Sequence, residues 1–168
     1  MEKKFILTDK FVINSFGIKL FQIKCTKSFK YAQKGDFGGY VEKEGNLDQE
    51  NDARVSSNAR VFGNARVSSN ARVSGDAWVS GNAWVSGDAD IENDNEHCGF
   101  DGFGSCNRHT HAYMTKEKKV EIICGCFRGS IEEFEKKVEE THSGTVYEKQ
   151  YKSIINVIKI KFGLTDFT

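Results

Sequence analysis

Two residue pairs have the types and spacing for metal chemistry: His109-x-His111 and Cys124-x-Cys126. Two imidazoles with two thiolates make a tetrahedral zinc set. If the stretch around them is an antiparallel hairpin turning near Glu117-Lys118, His111 falls opposite Cys124 and His109 opposite Cys126, all on one face. The one-residue gaps are not zinc-finger spacing, and a one-residue slip separates the pairs onto opposite faces. The expectation is no bound metal and no cofactor, with His109, His111, Cys124 and Cys126 the only metal candidates. Cys98 and Cys106 flank a Gly-rich run, Gly99 to Ser105, that reads as a loop and lacks the phosphate-cradling P-loop pattern. No Ser-His-Asp or Cys-His nucleophile set is readable. A lone Cys25 reads as core.

A second constellation is periodic. Arg54, Arg60, Arg66, Arg72, Trp78, Trp84 and Asp90 recur every six residues. They lie in seven consecutive hexads that begin at Asn51, and the element that positions them follows from the period. Each hexad carries Asn or Asp, then Ala, then the variable residue, then Val or Ile. Six is a multiple of two but not of 3.6, so a helix would smear the Val positions around its circumference. Short extended segments with a turn every six residues stack them instead. Ala and Val, two apart, then point to the same side. Gly-Asn and Ser-Asn pairs supply the corners. Three sides make an 18-residue coil with a narrow Ala/Val interior. The hexads resemble the left-handed parallel β-helix family, in which an aliphatic residue is followed four positions later by a small one, as in Val55-Ser-Ser-Asn-Ala59. The handedness is what that resemblance implies.

With 18 residues per coil, Arg54, Arg72 and Asp90 form one outward column, Arg60 and Trp78 a second, and Arg66 and Trp84 a third. A guanidinium over an indole contributes ~0.5–1 kcal/mol at an exposed site. Phe62 is expected to point outward beside Arg60. Arg and Trp are enriched at binding hot spots. Arg54, Arg60, Phe62, Arg66, Arg72, Trp78 and Trp84 are therefore the expected partner-binding or self-association surface.

The flanks differ from the repeat. Phe11 to Asn14 and Ile18 to Cys25 read as a hairpin around Ser15-Phe16-Gly17, followed by lysines at 27, 30 and 34 that read as a solvated face. Downstream, 108–115 and 119–127 read as two strands. Ser130 with Glu133 makes a capping box for a helix through Phe134 and Val138, and a second helix carries Tyr151, Ile154, Ile155 and Ile158. The expected fold is mainly β. It has an N-terminal β cap over 1–38, a hexapeptide-repeat β-helix of about three coils over 39–95, and a C-terminal α+β domain of two strands and two helices over 96–168.

The likeness extends beyond the hexads. Lys34-Gly35-Asp36-Phe37-Gly38-Gly39-Tyr40-Val41-Glu42, the Asn46-Leu47 pair, and Gly125-Cys126-Phe127-Arg128-Gly129-Ser130 ahead of a Glu-rich helix resemble phage and prophage hexapeptide-repeat proteins. That resemblance implies a non-catalytic protein that binds a host factor, such as a CRISPR or other defence component. The alternatives are a structural or self-assembling β-helix and an acyltransferase-like enzyme. The last is disfavoured because such enzymes use a His in the helix region, and residues 39–95 contain none.

Composition narrows the classes further. Net charge is zero, but residues 1–38 carry +5 and residues 39–95 carry −5. There is no domain-wide basic footprint, so nucleic acid is not the expected partner. No apolar run approaches the ~18 residues of a membrane span. Five cysteines without an apolar leader in Met1 to Lys10 point to a reducing cytoplasm. Open strand edges in so short a helix, with two outward Trp, point to a homodimer or trimer.

Overall fold

In the computed structural model, residues 3–165 are described. They divide into two compact units at Asp94/Asn95.

The first unit holds ten strands. β1 (Phe5–Ile13) and β2 (Lys19–Cys25) form an antiparallel hairpin, and β3 (Phe37–Val41) pairs with β2. Seven two-residue strands then follow the hexads: β4 (Arg54–Val55), β5 (Arg60–Val61), β6 (Arg66–Val67), β7 (Arg72–Val73), β8 (Trp78–Val79), β9 (Trp84–Val85) and β10 (Asp90–Ile91). Their pairing is parallel at an 18-residue offset: Val55 with Val73, Val73 with Ile91, Val61 with Val79, and Val67 with Val85. Upstream the offset is 20, Val41 with Val61 and Leu47 with Val67, because two extra residues lie between Leu47 and Val55. The Ala and Val or Ile of every hexad are buried, as alternation requires. Each corner places the second residue after the aliphatic one at positive φ, Ser57, Gly63, Ser69, Gly75, Gly81 and Gly87 in turn. Glycine, which adopts positive φ without a steric penalty, holds four of these six corners, and Ser57 and Ser69 adopt it against that penalty. The first arm of the N-terminal hairpin, expected over Phe11 to Asn14, begins earlier, at Phe5, and β1, β2 and β3 extend the sheet of β5 and β8, in the order β1-β2-β3-β5-β8.

The open edge of the first hexads exposes three alanine carbonyls, each satisfied differently. Ala59 accepts from the Tyr40 backbone N–H at 2.9 Å. Ala65 accepts from the Asn46 side-chain amide at 2.8 Å, and that amide also reaches the Gly63 carbonyl. Ala53 accepts from Lys4 Nζ at 2.9 Å, which also bonds the carbonyls of Glu50 and Asn51. At the far edge the Trp78 N–H, which has no further coil to meet, donates to Asp94 Oδ1 at 2.7 Å. Side chains thus stand in for the missing coils, which keeps exposed strand edges from pairing with other chains.

The second unit is an antiparallel meander, β11 (His97–Phe103), β12 (Arg108–Met114), β13 (Val120–Cys124) and β14 (Phe127–Ser130), with two helices, α1 (Ile131–His142) and α2 (Val146–Lys161). Two strands were expected and four are present. The Gly-rich run read as a loop is strand β11, because glycines are tolerated where a bulge shifts its register between Phe100 and Phe103. The capping box at Ser130/Glu133 is present. Ile131, Phe134 and Val138 of α1 and Tyr151, Ile154, Ile155 and Ile158 of α2 pack on Ala112, Ile122 and Cys124. No helix among the described residues is long and apolar enough to cross a membrane.

Candidate interaction surface

The outward columns form as the period requires. On the β4-β7-β10 sheet, Arg54, Arg72 and Asp90 are in register. Arg72 Nε lies 3.7 Å from Asp90 Oδ1, and its guanidinium lies over the Tyr31 ring at 5.4 Å. The middle Arg is therefore held within its own column. On the extended sheet, Tyr40, Arg60 and Trp78 are register partners on successive strands. The Arg60 guanidinium sits 4.7 Å from the Trp78 ring. On the third sheet Arg66 and Trp84 are register partners. There the indole N–H donates to Ser68 Oγ at 3.2 Å, and Trp84 is 47% exposed.

Phe62 is not the exposed group expected from its outward position. It is buried, because Phe16 at the hairpin turn lies 6.4 Å from it on one side and Trp78 lies 6.1 Å away on the other. Phe16 takes over as the exposed aromatic, at 72%. Period-six reasoning had no way to bring residue 16 to residue 62, so Phe16, Tyr40 and Tyr31 went unmarked. Lys4 also carried no signal in the sequence. Burial pushes its amine down to about 8, against the pull of Asp48 and Asp52.

The metal quartet does not assemble. Thr110, not His111, lies opposite Cys124, and His111 lies opposite Ile123. His109 and His111 therefore share one face while Cys124 faces the helices with Thr110, whose hydroxyl donates to Cys124 Sγ at 3.3 Å. Cys126 lies in the β13–β14 turn. The cause is the loop Lys116-Glu117-Lys118, which closes on Thr115 and Lys119 (Thr115 N–H to Lys119 carbonyl, 2.8 Å) and shifts the register by one residue. His111 meets His97 instead, with Nε2 3.2 Å from His97 Nδ1, and Asp101 holds His109 Nδ1 at 2.8 Å. Among the described residues no group of three His, Cys, Asp or Glu side chains is placed to hold a metal ion. Burial pushes the Cys98 thiol up to about 11 and raises that of Cys25, so both stay protonated near neutrality.

The hexads match a known repeat. A family model described as the YdcK beta solenoid repeat matches residues 59–75, 65–81 and 71–87, in steps of one hexad. The match makes residues 59–87 a β-solenoid repeat and leaves the flanks outside it. No curated protein matches the chain.

Proposed function

We propose that this chain is a non-catalytic binding protein that engages a protein partner through the outward row Tyr40, Arg60 and Trp78, with Phe16 beside it and Arg66 and Trp84 on the third sheet as a second outward pair. The row carries the reading. An Arg60 guanidinium over Trp78 in a row with Tyr40, joined through Phe62 to the exposed Phe16, is a half-apolar surface rich in hot-spot residue types. The proposal includes the finer architecture. The solenoid is a left-handed hexapeptide β-helix of about three coils, its handedness implied by the resemblance of the hexads to that family and its coil length supported by the 18-residue pairing offset. The resemblance of the flanking motifs to phage proteins supports a phage origin and a host defence factor as the partner. Five unpaired cysteines support action in a reducing cytoplasm.

The test is the double substitution Trp78→Ser with Trp84→Ser. Both side chains lie outside the Ala/Val interior, so the fold should persist. Affinity for a partner captured from host lysate should fall by ~2 kcal/mol or more. Light scattering is read on the same variant. A particle that is dimeric or trimeric in the wild type and monomeric in the variant would move the surface to self-assembly. A variant with unchanged affinity and unchanged mass would reduce the row to surface packing.

A further inference from the structure

Inside the second unit a cavity of about 210 Å3 opens where α1 and α2 meet the β13–β14 turn. Its buried wall is apolar: Phe134, Val138 and Tyr151, with Phe127 beside them. Its basic groups are Arg108, Lys137 and His142, Thr141 adds a hydroxyl, and no carboxylate lines it. Lys137 reaches Glu140 at 3.7 Å, and the His142 ring stacks on Tyr151 at 5.5 Å between centroids. Arg108 differs from these, since its guanidinium forms no ion pair among the described residues. Its place is nonetheless built. Arg108 lies across Gly125 in the two-residue turn between Cys124 and Phe127, where an added Cβ would come within 2.5 Å of Nη1 and 2.7 Å of Cδ. The phenol of Tyr151, pushed up to about 12 by burial and by its bond to Cys124, stays neutral in the wall.

A fork of donors without an ion pair among the described residues, beside an apolar hollow with no acidic lining, suits one ligand chemistry. We propose that this cavity binds a small organic carboxylate with a ring-sized apolar body, the carboxylate on Arg108 and the body against Phe134, Val138 and Tyr151. Guanidinium pairs carboxylate bidentately, and burying the body supplies the remainder. The cavity is smaller than the ~300–1,000 Å3 of drug-sized sites, a size that suits a single-ring ligand.

The probe is benzoate, with benzamide as its neutral isostere. Cys126 lines the cavity and is exposed, whereas Cys106 is exposed and does not line it. Alkylation by iodoacetamide, followed by mass spectrometry, therefore reads occupancy against an internal reference. Benzoate should slow alkylation of Cys126 and not of Cys106, and benzamide should not. Arg108→Gln, a change at an exposed position, should weaken benzoate binding at least ~tenfold, and Arg108→Lys should recover only part of it. Equal protection by benzamide, unchanged affinity in Arg108→Gln, or no protection at ~20 mM benzoate would each overturn the proposal.

Discussion

Asn46 does for one side of the solenoid what a further coil would do, and replacing it tests the edge-capping account. Its amide donates to the Ala65 carbonyl at 2.8 Å and the Gly63 carbonyl at 3.2 Å, and its Oδ1 accepts from the Lys43 N–H at 2.9 Å. The side chain is fully buried. Asn46→Ala leaves the Ala65 carbonyl without its donor, at ~1–3 kcal/mol for a buried group. The Gly63 carbonyl and Lys43 N–H lie nearer solvent and lose less. A total of about 3 kcal/mol follows. Asn46→Asp should cost at least as much, since it turns an acceptor toward two carbonyls. Both tryptophans of the chain lie in the hexads, so tryptophan fluorescence during urea unfolding reports the first unit alone. With a slope of ~1.5 kcal/mol per molar urea, the midpoint should fall by about 2 M. Asn64, exposed and bonded to Asn82 at 3.3 Å, is the matched control, and Asn64→Ala should move the midpoint by less than ~0.5 M. If Asn46→Ala and Asn64→Ala behave alike, the edge is not held by that amide and the account fails.

Three further outcomes are expected. A methyl at Gly75 collides with the Glu92 carbonyl, whereas one at Gly81 meets nothing within 4 Å, and both sit at positive φ. Gly75→Ala should therefore cost about 3 kcal/mol and Gly81→Ala about 1, and equal losses in urea unfolding would contradict the stacking of those corners. Lys4 titrates near 8 in the fold against 10.5 when free, so between those values the unfolded chain binds more protons. Wild-type stability relative to Lys4→Met should then rise with pH across that window, and a flat or falling difference would show that the amine is not buried in solution. Purified protein should hold no stoichiometric zinc after dialysis, because His111 and Cys124 occupy opposite faces. One retained equivalent that is lost in Cys124→Ser, measured by elemental analysis, would overturn the register.

The repeat was legible because its determinants are local. Side chains alternate with a period of two, corners turn through positive φ at one fixed position held by Gly or Ser, and both recur within each hexad. The Ala/Val interior, the columns of Arg and Trp, and the two-residue insertion before Val55 follow from counting along the chain. The helices of the second unit were legible for the same reason, through the Ser130 capping box and the spacing of Ile131, Phe134 and Val138.

What the tertiary structure decided were contacts between residues far apart in sequence. Phe16 covers Phe62, Lys4 reaches the Ala53 carbonyl, and Asn46 replaces a strand. None of these has a period, and each depends on where an edge leaves a backbone group unpaired. The metal quartet failed on a finer matter. A three-residue loop with Lys118 at positive φ set the β12–β13 register one residue away from the one that would have gathered it. In a strand, one residue is the difference between the two faces of the sheet. The seating of Arg108 over Gly125 is of the same kind, because it arises where β12 passes the β13–β14 turn. Spacing along the chain determines which way a side chain faces, but only packing determines what it meets there.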